Sequence, residues 1–156
     1  MLVQLNRHQD RRPVTASATD LPLNSATTRS TSPVVAVFGH PGRVAGLAAR
    51  LPHGWDVRRP SSLDDVRPDE IVLLAQASVV EVTTARAVLP RRTRIVALVD
   101  VDAPAELVAG VLTAGADVCV RGGQPAILAS HLVACRRRQL ADRWAHLQNA
   151  AAHTGD

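Results

Sequence analysis

From Pro33 onward, short apolar runs alternate with helical patterns at regular intervals, the pattern of a parallel sheet buried on both faces. Val34 to Phe38 predicts a first strand, broken by Gly39-His40-Pro41-Gly42. Val44, Leu47, Ala48 and Leu51 then recur at helical spacing and predict a helix stopped by Pro52. Trp55 to Arg58 reads as a short edge strand. Ser61 or Ser62 is placed to cap a short helix through Val66, which Pro68-Asp69 closes. Ile71 to Leu74 is a continuous apolar run suited to a central strand, followed by a helix over about Val79 to Val88 that ends before Pro90. Ile95 to Val99 predicts a fourth strand.

Pro104 suits a first helical turn, and Leu107, Val108, Val111 and Leu112 form an apolar stripe that stops at Gly115. Val118-Cys119-Val120 predicts the fifth strand. Pro125 opens a long helix that packs through Ile127, Leu128, Leu132 and Cys135, then carries Leu140, Trp144 and Leu147 at spacings of four and three. The whole predicts an α/β fold of (βα)5 order, a flavodoxin-like doubly wound five-stranded parallel sheet with ligands expected beyond the carboxyl ends of its strands. Residues 1–32 lack a sustained apolar period and end in the polar run Asn24 to Ser32, so a disordered N-terminal tail is expected. Asp10, Asp20 and the lack of an amphipathic pattern argue against a transit peptide there. The expected organisation is a tail over 1–32, a domain over 33–140, and a helical extension with a C-terminal tail over 141–156.

Composition narrows the chemistry. A chain of 156 residues has the size of one domain. It has no tyrosine, a single phenylalanine (Phe38) and two tryptophans (Trp55, Trp144), so the core must be aliphatic and base-stacking platforms are nearly absent. The net charge of +4 is small and dispersed, a weak argument for nucleic acid. Cys119 and Cys135 show no CxxC spacing and follow no signal peptide, which fits buried thiols of a cytoplasmic protein. No apolar run approaches the ~18 residues needed to span a bilayer, so a soluble protein with no membrane partner is expected.

With the order of elements in place, the residues resemble the receiver domain of bacterial response regulators. Val34-Val35-Ala36-Val37-Phe38-Gly39-His40-Pro41 is similar to the receiver opening, in which a strand runs into acidic residues and then proline. Pro68-Asp69 before Ile71-Val72-Leu73-Leu74 resembles the third strand, and Ala114-Gly115-Ala116-Asp117 before Val118-Cys119-Val120 the approach to the fifth. The resemblance implies an aspartate phosphoacceptor and a magnesium site, and magnesium demands hard oxygen ligands. Carried over, the acidic pair falls on Phe38 and Gly39, and the acceptor on Ala75 between Leu74 and Gln76. The sensing hydroxyl falls on Val99, and the cationic partner on Gly122 beside Arg121. None of these can take a phosphoryl group or hold the metal; Asp100 and Asp102 are the only nearby carboxylates, at the wrong strand end.

Other chemistry is sparse. Gly39 to Gly42 occupies a position where helix N–H groups favour anions, without phosphate-loop spacing. His8, His40, His53, His131, His146 and His153 form no i,i+4 pair with a third ligand, so neither metal nor cofactor is expected. No serine lies in a GxSxG elbow and neither cysteine has an evident base, so an enzyme is not expected. Arg136, Arg137, Arg138 and Arg143 make the last helix basic, suited to phosphate contacts or to a solvated face.

The leading expectation is a phosphorylation-independent pseudo-receiver, a signalling module working through protein contacts. A homodimer is expected through the fourth and fifth helices and the Leu140/Trp144/Leu147 extension, because a helix from Pro125 to Leu147 spans more than about 30 Å and outruns the sheet. No effector domain follows Asp156, so output is expected through a partner or the tails. Two alternatives stand beside it: a transcription-associated regulator touching DNA through its tail and last helix, and a small-molecule sensor using the crevice at Gly39, Ala75, Val99 and Gly122. The residues leave open whether Arg121 fills the emptied acidic site, and whether Trp144 packs back onto the domain.

Overall fold

The computed structural model describes residues 32–152. The expected disordered tail lies outside the described residues except for Ser32, as do His8 and residues 153–156 with His153. Five strands, β1 (Val34–Gly39), β2 (Asp56–Arg58), β3 (Ile71–Ala75), β4 (Arg94–Val99) and β5 (Val118–Arg121), pair in parallel in the order β2-β1-β3-β4-β5. Three α-helices accompany them: α1 (Val79–Val88), α2 (Ala105–Thr113) and α3 (Pro125–Ala152).

All of β3 and Ile95 to Val99 of β4 are buried, which is why these strands read as unbroken apolar runs instead of alternating ones. Alternate residues serve opposite faces. Val35, Val37, Leu73, Val96 and Leu98 meet Val44, Leu47 and the α3 residues Leu128, Leu132 and Cys135. Ala36, Val72, Leu74, Ile95 and Ala97 form the other cluster with Val82, Ala85 and Leu89 and with Val111 of α2. The start of α1 is fixed by a reciprocal cap: Ser78 Oγ accepts from the Glu81 N–H at 3.2 Å, and the Glu81 carboxylate accepts from the Ser78 N–H at 2.9 Å.

The first two crossovers depart from the expected βα pattern. Pro41–Val44 is a short 3-10 helix followed by turns, and Leu63–Asp65 is another; neither crossover contains an α-helix. Gly46 explains the first, because its φ of +77° lies in the left-handed region and interrupts any continuing helix. Val44, Leu47 and Leu51 still reach the core from these turns, while Ala48 is exposed. Two expected packing residues also face outward, Leu112 and Ile127, since the core-facing sides of their helices are taken by Val111 and by Leu128 and Leu132.

Ion pairs brace the opposite end of the sheet. Glu70, 1% exposed, accepts from Arg58 Nε at 2.7 Å and Nη2 at 2.6 Å and from the Arg67 N–H at 3.0 Å. The hydrogen bond to Glu70 raises the Arg58 pKa further, so the guanidinium stays cationic. Asp117 accepts from Arg86, Arg94 and the Ile95 N–H, and Arg94 reaches on to Asp142 of α3. Glu70→Ala strips Arg58 of its buried partner and is expected to lower unfolding free energy by about 3 kcal/mol in denaturant titration. A loss well under about 1 kcal/mol would contradict this bracing role.

Candidate functional site

The carboxyl edge of the sheet brings together the positions at which a receiver would do its chemistry. Gly39 pairs with Ala75, Ala75 with Leu98, and Val99 with Arg121, so four strand ends converge. Gly39 has φ +93°, and a Cβ there would collide with the Ala75 carbonyl oxygen. Gln76 is left-handed too, at φ 78°, and its N–H and that of Ala77 both donate to the Leu98 carbonyl, at 3.0 and 2.8 Å. Gly122, at φ +72°, donates to the Val99 carbonyl at 3.0 Å. These three backbone N–H groups are therefore bonded to β4 carbonyls and not free to meet an anion.

The side chains complete the closure. Ala75 and Val99 are buried and apolar, and Phe38 packs half-buried against the α1/α2 face. Arg43 Nη1 meets Asp100 Oδ1 at 2.6 Å, tying the loop after β1 to the loop after β4, the strands that flank β3. Sequence reasoning noted Asp100 but missed Arg43, whose place depends on a turn held by His40 Nδ1 accepting from the Gly42 N–H at 3.2 Å. Arg121 is exposed and turns to solvent instead of filling the emptied acidic site. Among the described residues, no three His, Cys, Asp or Glu side chains are grouped to hold a metal ion.

Neither thiol supplies a nucleophile. Both cysteines are free, Cys135 fully buried and Cys119 partly so, and burial pushes both thiol pKa values up. Protonated thiols at neutral pH react slowly.

The basic residues of α3 divide by role. Arg136 Nη1 donates to the Asp69 carbonyl at 2.9 Å and to Gln139 Oε1 at 2.8 Å, anchoring the helix. Arg137, Arg138 and Arg143 are exposed, and at about 100° per residue they point to different sides of the helix. From Leu140 to Ala152 every residue is exposed, with Leu140 at 39%, Trp144 at 66% and Leu147 at 52%. Trp144 thus projects away from the domain. Higher up the helix, Ala126, Ser130, Val133 and Arg137 form one wall of a groove of about 520 Å³ whose other wall is Arg50 and Pro52.

No protein-family model and no curated protein matches the chain. No helix among the described residues is long and apolar enough to cross a membrane. Two outcomes follow from the edge and the thiols. Gly39→Ala forces a side chain against the Ala75 carbonyl in a left-handed conformation and is expected to destabilise by about 2 kcal/mol or more in thermal or denaturant unfolding; an unchanged midpoint contradicts the close approach. Cys135 is expected to resist alkylation until the protein unfolds. Because folding raises its pKa, the unfolded thiol ionises first, so its contribution to stability is full below the ordinary thiol range and falls as pH rises through it. Labelling of native Cys135 as fast as of unfolded chain would contradict its burial.

Proposed function

We propose that this chain is a receiver-like module of flavodoxin-like, doubly wound organisation that acts without phosphorylation, through protein contacts made by α3. The strand order 2-1-3-4-5 is that of flavodoxin-like sheets and supports the scaffold. The observation that carries the reading is the contrast between the two ends of α3. Its first half buries Leu128, Leu132 and Cys135, whereas its last thirteen residues (140–152) carry an exposed stripe of Leu140, Trp144 and Leu147. An isolated helical segment of this length is marginal in water, and its apolar stripe gains most when covered.

The alternatives have less support. A DNA-reading surface needs cations that follow one line of phosphates, but Arg136 is occupied internally and the other three arginines diverge. A ligand crevice at the strand ends is opposed by the bonded backbone and the Arg43–Asp100 pair.

Incubation with acetyl phosphate and Mg²⁺, followed by intact mass, is expected to leave the protein unmodified; a stable phosphoryl adduct overturns the phosphorylation-independent reading. Trp144→Ala is expected to leave the unfolding midpoint of the chain alone unchanged, within about 0.5 kcal/mol of stability. A larger loss would place Trp144 in the domain's own packing and sink the contact role.

A further inference from the structure

The stripe and the groove lie on one face of α3. At about 100° per residue, Ala126, Ser130, Val133, Arg137, Leu140, Trp144 and Leu147 fall within a sector of about 100°, at alternating spacings of four and three. The groove beside Arg50 and Pro52 opens on the upper part of this sector, and the exposed leucines and tryptophan continue it downward. The face therefore runs for about 30 Å, with the groove along its upper part and exposed apolar residues along its lower part.

Its charges have one sign. Arg137 lies in the sector, Arg143 on its flank next to Leu147, and Arg50 on the opposite wall, all exposed and none in an ion pair among the described residues. The one carboxylate on α3, Asp142, points about 160° away from Trp144 and is bound by Arg94.

We propose, resting on the contact role given to α3, that this face seats an acidic amphipathic helix of another protein, with aliphatic residues against Val133, Leu140, Trp144 and Leu147 and Asp or Glu beside Arg50, Arg137 and Arg143. The homodimer expected from the sequence fits less well. A second copy that pairs α3 against α3 doubles the guanidiniums along the seam, and the one α3 carboxylate, Asp142, faces away from it. If it pairs through Leu140, Trp144 and Leu147 alone, three side chains fall short of the ~800 Å² per partner of a stable interface and leave the groove unfilled. Apolar residues interleaved with Arg137 and flanked by Arg50 and Arg143 suit a helix better than a phosphate backbone.

The test uses the full chain and a synthetic amphipathic peptide of roughly three heptads, with leucine on the seam and glutamate on both flanks, against the same peptide with lysine on the flanks. Binding is read by peptide anisotropy and Trp144 emission, beside molar mass in solution. The glutamate peptide is expected to bind and the lysine peptide not. Arg137→Glu is expected to weaken the glutamate peptide about tenfold and to let the lysine peptide bind, while Arg138→Glu, equal in charge but about 100° away, changes little. Equal melting temperatures of the two variants confirm that both are folded. Equal loss in both variants would reduce the effect to net charge and overturn the proposal. No peptide binding with a dimer that Trp144→Ala dissolves would assign the face to a second copy, overturning the acidic partner but not the contact role. No peptide binding by a monomer overturns both, and salt-steep binding to duplex DNA in place of the peptide would assign the surface to nucleic acid.

Discussion

Burial of the two central strands on both faces is the constraint from which the rest of the structure follows. With β3 and Ile95 to Val99 of β4 denied water on either side, these residues must be apolar and their backbone groups must pair within the sheet. Helices are then required on both sides, and the lower face needs a long one, because Val35, Val37, Leu73, Val96 and Leu98 present a broad aliphatic surface that the turns carrying Val44, Leu47 and Leu51 cover only in part. The first half of α3 supplies the remainder.

The same constraint decides what the carboxyl edge can hold. Buried Ala75 and Val99 end their strands without polar groups, and the left-handed residues Gly39, Gln76 and Gly122 fold the loops tightly over them. The Arg43–Asp100 pair then joins loops on either side of β3. The strand ends Ala75 and Val99 are in this way covered, while Leu140, Trp144 and Leu147 on the last turns of α3 stay exposed.

Much of this was legible in the chain. The runs Ile71 to Leu74 and Ile95 to Val99 are central strands, and α1 begins after Ser78 and ends at Val88, because apolar periodicity, a capping serine and Pro90 are local signals. The Val44 to Leu51 spacing was misleading: inward positions three and four apart occur in successive turns as well as in helices, and Gly46 was the residue that marked the difference. The edge positions Phe38, Gly39, Ala75, Val99 and Gly122 came from carrying over the receiver resemblance position by position, and of these Gly39, Ala75 and Val99 end their strands. Arg43, and the Glu70 and Asp117 ion-pair centres, were not, because their partners lie in other elements: Arg43 meets Asp100, Glu70 meets Arg58 and Asp117 meets Arg86 and Arg94. Glu70 did carry a signal, a carboxylate directly abutting a fully apolar strand, where burial demands a cation.

The central claim is that α3 is one continuous helix with two environments, core-packed along its first half and exposed over residues 140–152. Amide hydrogen exchange along α3 in dilute, monomeric protein tests it most directly. The account expects strong protection around Leu128 to Cys135 and faster exchange beyond Ala141, where every residue through Ala152 is exposed. Protection of residues 141–152 equal to that of the core, in the monomer, would contradict it.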